Sequence, residues 1–420
     1  MKRFLQFAVE QTLLGDATGV KEYAVALAVY DKPESFDPRT DPIVRVEASR
    51  LRAKLREYYE DEGRDDPVVI SIRKGGYSAV FKKRRKTSPR KVALDGHVAG
   101  PRNPEAHHLY LMGRHYWNKR NTGGIEKSME CFQGAIRLDP ADAMAHAGLA
   151  DCYASQACFE IGAPGMLWDS AEREALAAQA LDPSLAEASA TRACRQAVYD
   201  WNWSGAEAGF RAAIAMEPQY ATARHWYGFF CLAPQRRLSA AMEEVMRAFA
   251  LDPLSPVIGT HLGCILYFRR RHEQAVEQYL RAIELDPTFH LAYWFLGWTY
   301  TQLSRFDDAK RAIDQARTLG TSEALCMQAA ANLEANAGNR ESAESLIDAL
   351  QTLSKNSYVS PVGFALLATV LGECDVAFAW LKRAVAERSC RLAHLKVEPG
   401  FDKLKTDPRF LSILSAIHLL

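Results

Sequence analysis

The side chains best suited to engaging another molecule are basic, and they concentrate in the first 92 residues. Arg45, Ser49, Arg52 and Arg56 recur at spacings of three and four, so a helix turning about 100° per residue lines them up on one face. Arg73 and Lys74 follow at a hairpin tip, and Lys82, Lys83, Arg84, Arg85 and Lys86 form an unbroken run. Such groups neutralise phosphate, so the partner they point to is a polyanion. Net charge over the whole chain is only +1, yet residues 1–92 hold 20 Lys and Arg against 14 Asp and Glu, and the remainder is acidic.

Catalytic constellations are missing from the sequence. It has no Gly-x-x-x-x-Gly-Lys-Ser/Thr phosphate loop, no Gly-x-Gly-x-x-Gly, no Gly-x-Ser-x-Gly elbow and no His-Glu-x-x-His pair. His107, His108 and His115 cluster, but only the last two share a helical face, and no cysteine or carboxylate completes a metal set. Asp65, Asp66 and Glu60–Glu62 lack the glycine and terminal glutamate of a calcium loop. The expectation is a non-enzymatic chain without cofactor or metal. Nine scattered cysteines without a Cys-x-x-Cys pair fit a reducing compartment. Met1–Leu14 opens like a signal peptide but is interrupted by Glu10 and Gln11, and no 18-residue apolar stretch spans a membrane, so the expected location is the cytoplasm.

The basic residues need elements to position them. A helix is expected from Pro42 to about Glu62, with Asp41 as N-cap, Pro42 at N1 and Gly63 in the left-handed C′ position. Val44, Ala48, Leu51, Leu55 and Tyr58 give it one apolar face. Val68, Ile70 and Ile72 then alternate with smaller or polar residues, as do Tyr77, Ala79 and Phe81 beyond a Lys74-Gly75-Gly76 turn, which predicts a β-hairpin. Shorter helices are expected over Lys2–Leu14 and Val20–Val29. Residues 83–104, rich in charge, proline and glycine, read as a flexible linker.

From residue 105 onward the chemistry is that of packing. Leu-Asp-Pro or Met-Glu-Pro recurs with its proline at 140, 183, 218, 253 and 287, at intervals of 43, 35, 35 and 34. Small residues sit where two helices would cross and large ones where neighbours would wedge: Gly113 and Phe132, Gly228 and Ala241, Gly263 and Tyr279, Gly297 and Ala309. The first unit is read as carrying an insertion around Asn118–Gly124. This pattern resembles the tetratricopeptide repeat. The resemblance implies a right-handed α-solenoid of about eight helical hairpins over residues 105–390, closed by a capping segment at 391–420. It also implies a groove lined by Tyr110, Arg114 and Trp117 at one end and Trp294, Trp298 and Gln302 further along, fit for an extended peptide or helix of a protein partner.

The N-terminal run Arg45-Val-Glu-Ala-Ser-Arg-Leu-Arg-Ala-Lys-Leu55, with Ile70-Ser-Ile-Arg-Lys-Gly-Gly-Tyr77 and Phe81, resembles the recognition helix and wing of the OmpR/PhoB type of response-regulator DNA-binding domain. The resemblance implies a small α+β winged helix-turn-helix over residues 1–82. It places Ser49, Arg50, Arg52 and Lys54 on the helix entering the major groove, and Arg73 and Tyr77 on the wing. The chain is therefore expected to be mostly α, and to act as a transcription regulator that binds double-stranded DNA at one end and a protein at the other. The alternative is a repeat scaffold whose N-terminal module contacts protein rather than DNA.

Overall fold

The computed structural model describes residues 2–13, 21–30, 32–33, 36–38, 41, 43–60, 63, 66, 68–72, 76–83, 103–119 and 122–420. The chain divides into two compact units, residues 1–98 and 99–420.

In the first unit, α1 (Lys2–Leu13), α2 (Glu22–Tyr30) and α3 (Ile43–Glu60) precede β1 (Val68–Ile72) and β2 (Ala79–Lys83). Asp41 starts α3 by accepting the Ile43 N–H at 3.0 Å, satisfying a donor that has no partner inside the helix. The strands pair antiparallel with Ile70 opposite Phe81 and Ile72 opposite Ala79. Phe4, Ala8, Val25, Val29, Val44, Ala48, Leu51, Ile72 and Ala79 form one core.

Two expectations for α3 are corrected. Tyr58 is 40% exposed and Tyr59 is the buried ring; both stand at helical spacings after Leu55, and it is the Tyr59 hydroxyl that accepts the Ile70 N–H at 3.0 Å and ties the helix to β1. Gly63 is not left-handed. Its lack of a side chain instead makes room for Tyr58, whose ring would lie 2.3 Å from an added Cβ.

The second unit is a run of helical hairpins: α4 (Pro104–Lys119) with α5 (Thr122–Leu138), α6 (Ala143–Cys158) with α7 (Pro164–Leu181), α8 (Ala186–Val198) with α9 (Trp203–Met216), and α10 (Ala221–Trp226), extended by a π-helical turn at Tyr227–Leu232, with α11 (Leu238–Leu251). There follow α12 (Pro256–Phe268) with α13 (His272–Leu285), α14 (His290–Gln302) with α15 (Phe306–Thr318), α16 (Glu323–Asn336) with α17 (Arg340–Leu353), and α18 (Pro361–Leu371) with α19 (Cys374–Ala386). Two short 3-10 turns, Cys390–His394 and Pro399–Leu404, and α20 (Pro408–Ala416) complete it.

The recurring tripeptide punctuates the array through side-chain chemistry. Asp139, Asp182 and Asp286 each accept the backbone N–H two residues on, at 2.9 to 3.1 Å, an Asx-turn that leaves the helix while the proline blocks its continuation. Phe132 shows the packing rule: a Cβ on Gly113 or Gly148 would come within 2.6 or 2.4 Å of its ring, so α4, α5 and α6 close on one another only because both positions are bare. The 43-residue interval arises in the second hairpin, whose helices run to 16 and 18 residues. The expected insertion at Asn118–Gly124 is thus misplaced; α5 begins at Thr122.

First helices of successive hairpins touch one another (α6 with α8, α12 with α14, α14 with α16, α16 with α18), so they line the inner face of the array.

Candidate functional site

Of the expected DNA-contacting residues, three are committed inside the first unit. Arg45 pairs with Glu22 at 3.1 Å and donates to the Pro38 carbonyl at 2.6 Å. Arg52 donates to the Gly76 carbonyl at 2.7 Å, bracing α3 against the hairpin. Tyr77 leans on Phe4 and hydrogen-bonds Glu22; burial and that carboxylate push its hydroxyl up to about 12. Ser49, Arg50, Lys54 and Lys82 are exposed, Arg50 bridging to Glu47 at 2.7 Å. Arg73, Lys74, Arg84 and Arg85, and the side chains of Arg56 and Lys83, lie outside the described residues, as does residues 84–102 of the expected linker.

The expected groove residues do lie on inner-face helices, but they are packed. Tyr110, Trp117, Trp294 and Trp298 are 2–8% exposed, and Gln302, ending α14, is half-buried. Around the first pair runs a polar network. Arg114 on α4 donates to Asp151 on α6 at 3.1 Å, Thr191 on α8 donates to the same carboxylate at 2.6 Å, and the Tyr220 hydroxyl approaches it at 3.5 Å. A fully buried carboxylate needs such company, since isolated charge in an apolar interior costs many kcal/mol. Burial lifts Glu187 above the usual carboxylate range and Tyr220 well above the ordinary phenol. Arg114 also lies over the Trp117 ring, 4.6 Å from its centroid.

Trp294 lies under Arg391 of the chain's own C-terminal segment, 5.9 Å from its ring centroid, and Trp298 lines a cavity that this segment also borders. This is the larger departure from expectation, because the segment expected to cap the last hairpin also runs back along the inner face. Trp168 donates to Cys390 Sγ at 3.1 Å, Arg391 to Gln328 at 2.9 Å, and His394 Nε2 to the Phe229 carbonyl at 3.0 Å. Tyr267 donates to Glu398 at 2.9 Å, while Arg270 grips Asp402 at 2.6 and 2.8 Å and the Val397 carbonyl at 2.8 Å. Further on, Trp203 donates to the Ile417 carbonyl at 2.9 Å.

Backbone conformation prepares these contacts. Arg270 after α12 and Arg388 after α19 sit at φ 62° and 53°, where the corresponding turns after α16 and α15 use Gly338 and Gly320 at 86° and 95°. A non-glycine residue there costs roughly 1 kcal/mol, offset here because each arginine reaches across the fold, Arg388 to the Tyr199 carbonyl at 3.0 Å. Sequence reasoning missed this role; arginine at a position where a sister turn carries glycine is the signal that was available.

Among the openings on the second unit, two are lined by inner-face residues. One is a cavity of about 130 Å³ between the C-terminal segment and α10–α18. The other is a cleft of about 200 Å³ lined by Trp117, Asn118, His225, Asp252, Ser255 and Ile258, with Leu254 at its edge 73% exposed. No group of three or more metal-binding side chains occurs among the described residues, and no helix among them is long and apolar enough to cross a membrane.

Residues 260–289, which span α12 and α13, match the tetratricopeptide repeat family model. No curated protein matches the chain significantly. Among solved structures, the human IFIT1 dimer with m7Gppp-AAAA is similar at 14% identity and a TM-score of 0.50, over 74% of this chain and 71% of that one. PilF of Pseudomonas aeruginosa aligns at 18% identity and a TM-score of 0.31, over 60% of this chain and 93% of that one. At its identity the IFIT1 likeness is one of fold alone. One tetratricopeptide repeat is thus matched in sequence, at residues 260–289, and the same hairpin build recurs from α4 to α19.

Proposed function

We propose that this protein is a protein-interaction scaffold, a binding rather than a catalytic chain, whose array holds an extended peptide segment of a partner in the cleft between the end of α4 and the α11–α12 turn. One observation carries the reading. The C-terminal segment borders the inner face at Trp294 and Trp298, whereas the Trp117–His225–Asp252 cleft is an open, mixed apolar and polar surface away from it. An extended peptide supplies alternate side chains for such a recess, and Leu254 at the edge offers apolar contact area. Selection from a displayed peptide library, followed by titration against variants, tests it. Leu254→Arg is expected to weaken selected peptides about tenfold, a loss of roughly 1.4 kcal/mol, while Met246→Arg on α11, 58% exposed, leaves affinity unchanged. Equal effects would remove the cleft from consideration.

A second reading concerns the first unit. Ser49, Arg50, Ala53 and Lys54 occupy one exposed face of α3, small and basic side chains at spacings of one and four, and such a face suits approach to a duplex backbone. Binding by residues 1–98 that falls steeply with salt would support double-stranded DNA as its ligand; binding insensitive to salt would favour a protein contact.

A further inference from the structure

The cavity beneath the C-terminal segment has walls of an unusual kind. Phe229 stacks on His261 with centroids 3.7 Å apart and planes 11° apart, Tyr279 and Phe295 lie parallel within 11°, and Trp294 and Trp298 meet edge-on at 5.7 Å. All of these side chains line the same space. The rings of each pair lie against one another, and the aromatic edges and outer faces left to the cavity accept a planar ring by offset or edge-to-face contact. The size agrees: about 130 Å³ is close to the engineered cavity of roughly 150 Å³ that takes up benzene.

Polar side chains break the apolar lining, among them Thr299, Arg391, His394 and Glu398. His394 donates through Nε2 to the Phe229 carbonyl, and burial, the largest influence on it, depresses its pKa to about 4. The ring is therefore neutral near pH 7, with Nδ1 as a lone-pair acceptor that makes no hydrogen bond among the described residues. The Trp298 indole N–H, on another wall, has no acceptor among them either. The Trp298 indole is a buried donor without a partner, which costs stability, and a ligand with an acceptor for it would recover that cost.

We propose that this cavity binds a flat aromatic small molecule carrying an N–H or O–H donor, of the indole or phenol class, with the donor on His394 Nδ1 and the ring between the aromatic walls. Since Cys390, Arg391, His394 and Glu398 form one side of the cavity and α10 to α18 the others, the bound ring joins the C-terminal segment to the array. Occupancy therefore adds to the segment's docking.

The test uses the full chain with 5-fluoroindole, phenol and benzene, read by ¹⁹F NMR for the first and by thermal melting for all three. Saturable 5-fluoroindole binding and a raised Tm are expected. Val362→Phe, which fills the space from α18, should abolish both. His394→Phe keeps an aromatic ring but removes the acceptor; it should weaken 5-fluoroindole and phenol about three- to tenfold, the value of one hydrogen bond, and leave benzene unchanged. Absence of saturation up to the solubility limit, or binding that survives in Val362→Phe, would overturn the proposal. Equal losses of benzene and 5-fluoroindole in His394→Phe would do the same, and that comparison stands alone if Val362→Phe does not fold.

Discussion

Acid should loosen the C-terminal segment through His394, and the size of the effect follows from its surroundings. The imidazole is enclosed by Phe229, Phe230 and Phe268, and with Arg391 contributing in the same direction its pKa falls from the ordinary 6.5 to about 4. A base whose folded pKa is depressed binds its proton more readily in the unfolded chain. Stability is thus fully present above about pH 6.5 and declines as pH falls towards about 4. Inserting the two values gives a loss of about 2 kcal/mol between pH 7 and pH 5 and a ceiling near 3 kcal/mol. Neighbouring groups titrate as well. Burial lowers His272, which adds to acid sensitivity, and raises Glu398, which opposes it. The informative quantity is therefore the difference between the native chain and His394→Phe. Urea unfolding of both at pH 7, 6 and 5, with amide exchange followed over residues 390–404, should show the native chain's advantage shrinking by about 2 kcal/mol while the variant holds its segment in place. Parallel pH profiles for the two proteins would refute the reasoning.

Other substitutions probe packing and charge. Gly148→Ala places a Cβ 2.4 Å from a Phe132 ring already held by Gly113, so overpacking of roughly 1–3 kcal/mol should exceed the gain of about 1 kcal/mol from helix propensity; Phe132→Leu should partly rescue it, and strict additivity in denaturant melts would show that the ring can move. Trp298→Ala removes a side chain only 6% exposed and should cost about 3–5 kcal/mol in thermal or chemical unfolding, with no selective effect on peptides bound at the Trp117 cleft. In the first unit, Arg50→Ala with Lys54→Ala should lower the slope of log affinity for duplex DNA against log salt by about two; an unchanged slope would show that neither meets a phosphate.

The array could be read from the sequence because each of its rules is local. A leucine, an Asx-turn aspartate and a helix-blocking proline recur within three residues, and bare glycines stand one helix away from the rings they admit, as Gly263 does for Tyr279. The first unit's helices and hairpin were legible for the same reason, through Asp41 at the start of α3 and the alternation of Ile70 and Ile72. Side-chain facing was less legible. Tyr58 and Tyr59 are adjacent and stand three and four residues after Leu55, both helical spacings; the Ile70 N–H that Tyr59 accepts goes with the inward choice.

The site itself depended on contacts that no spacing encodes. Arg45, Arg52 and Tyr77 share types with residues that meet DNA, yet each finds a partner within its own unit. Trp294 and Trp298 occupy inner-face positions as the repeat pattern places them, but Arg391, His394 and Glu398, which border that face, lie about a hundred residues further along the chain. Sequence alone determined the hairpins, their turns and which helices face inward, since those follow from hydrogen bonding and sterics over a few residues. Only the tertiary structure decided that the C-terminal segment borders the inner face, because the bonds of Arg270 to Asp402 and of Trp203 to Ile417 span 132 and 214 residues and form only once the array has curved enough to bring their ends together.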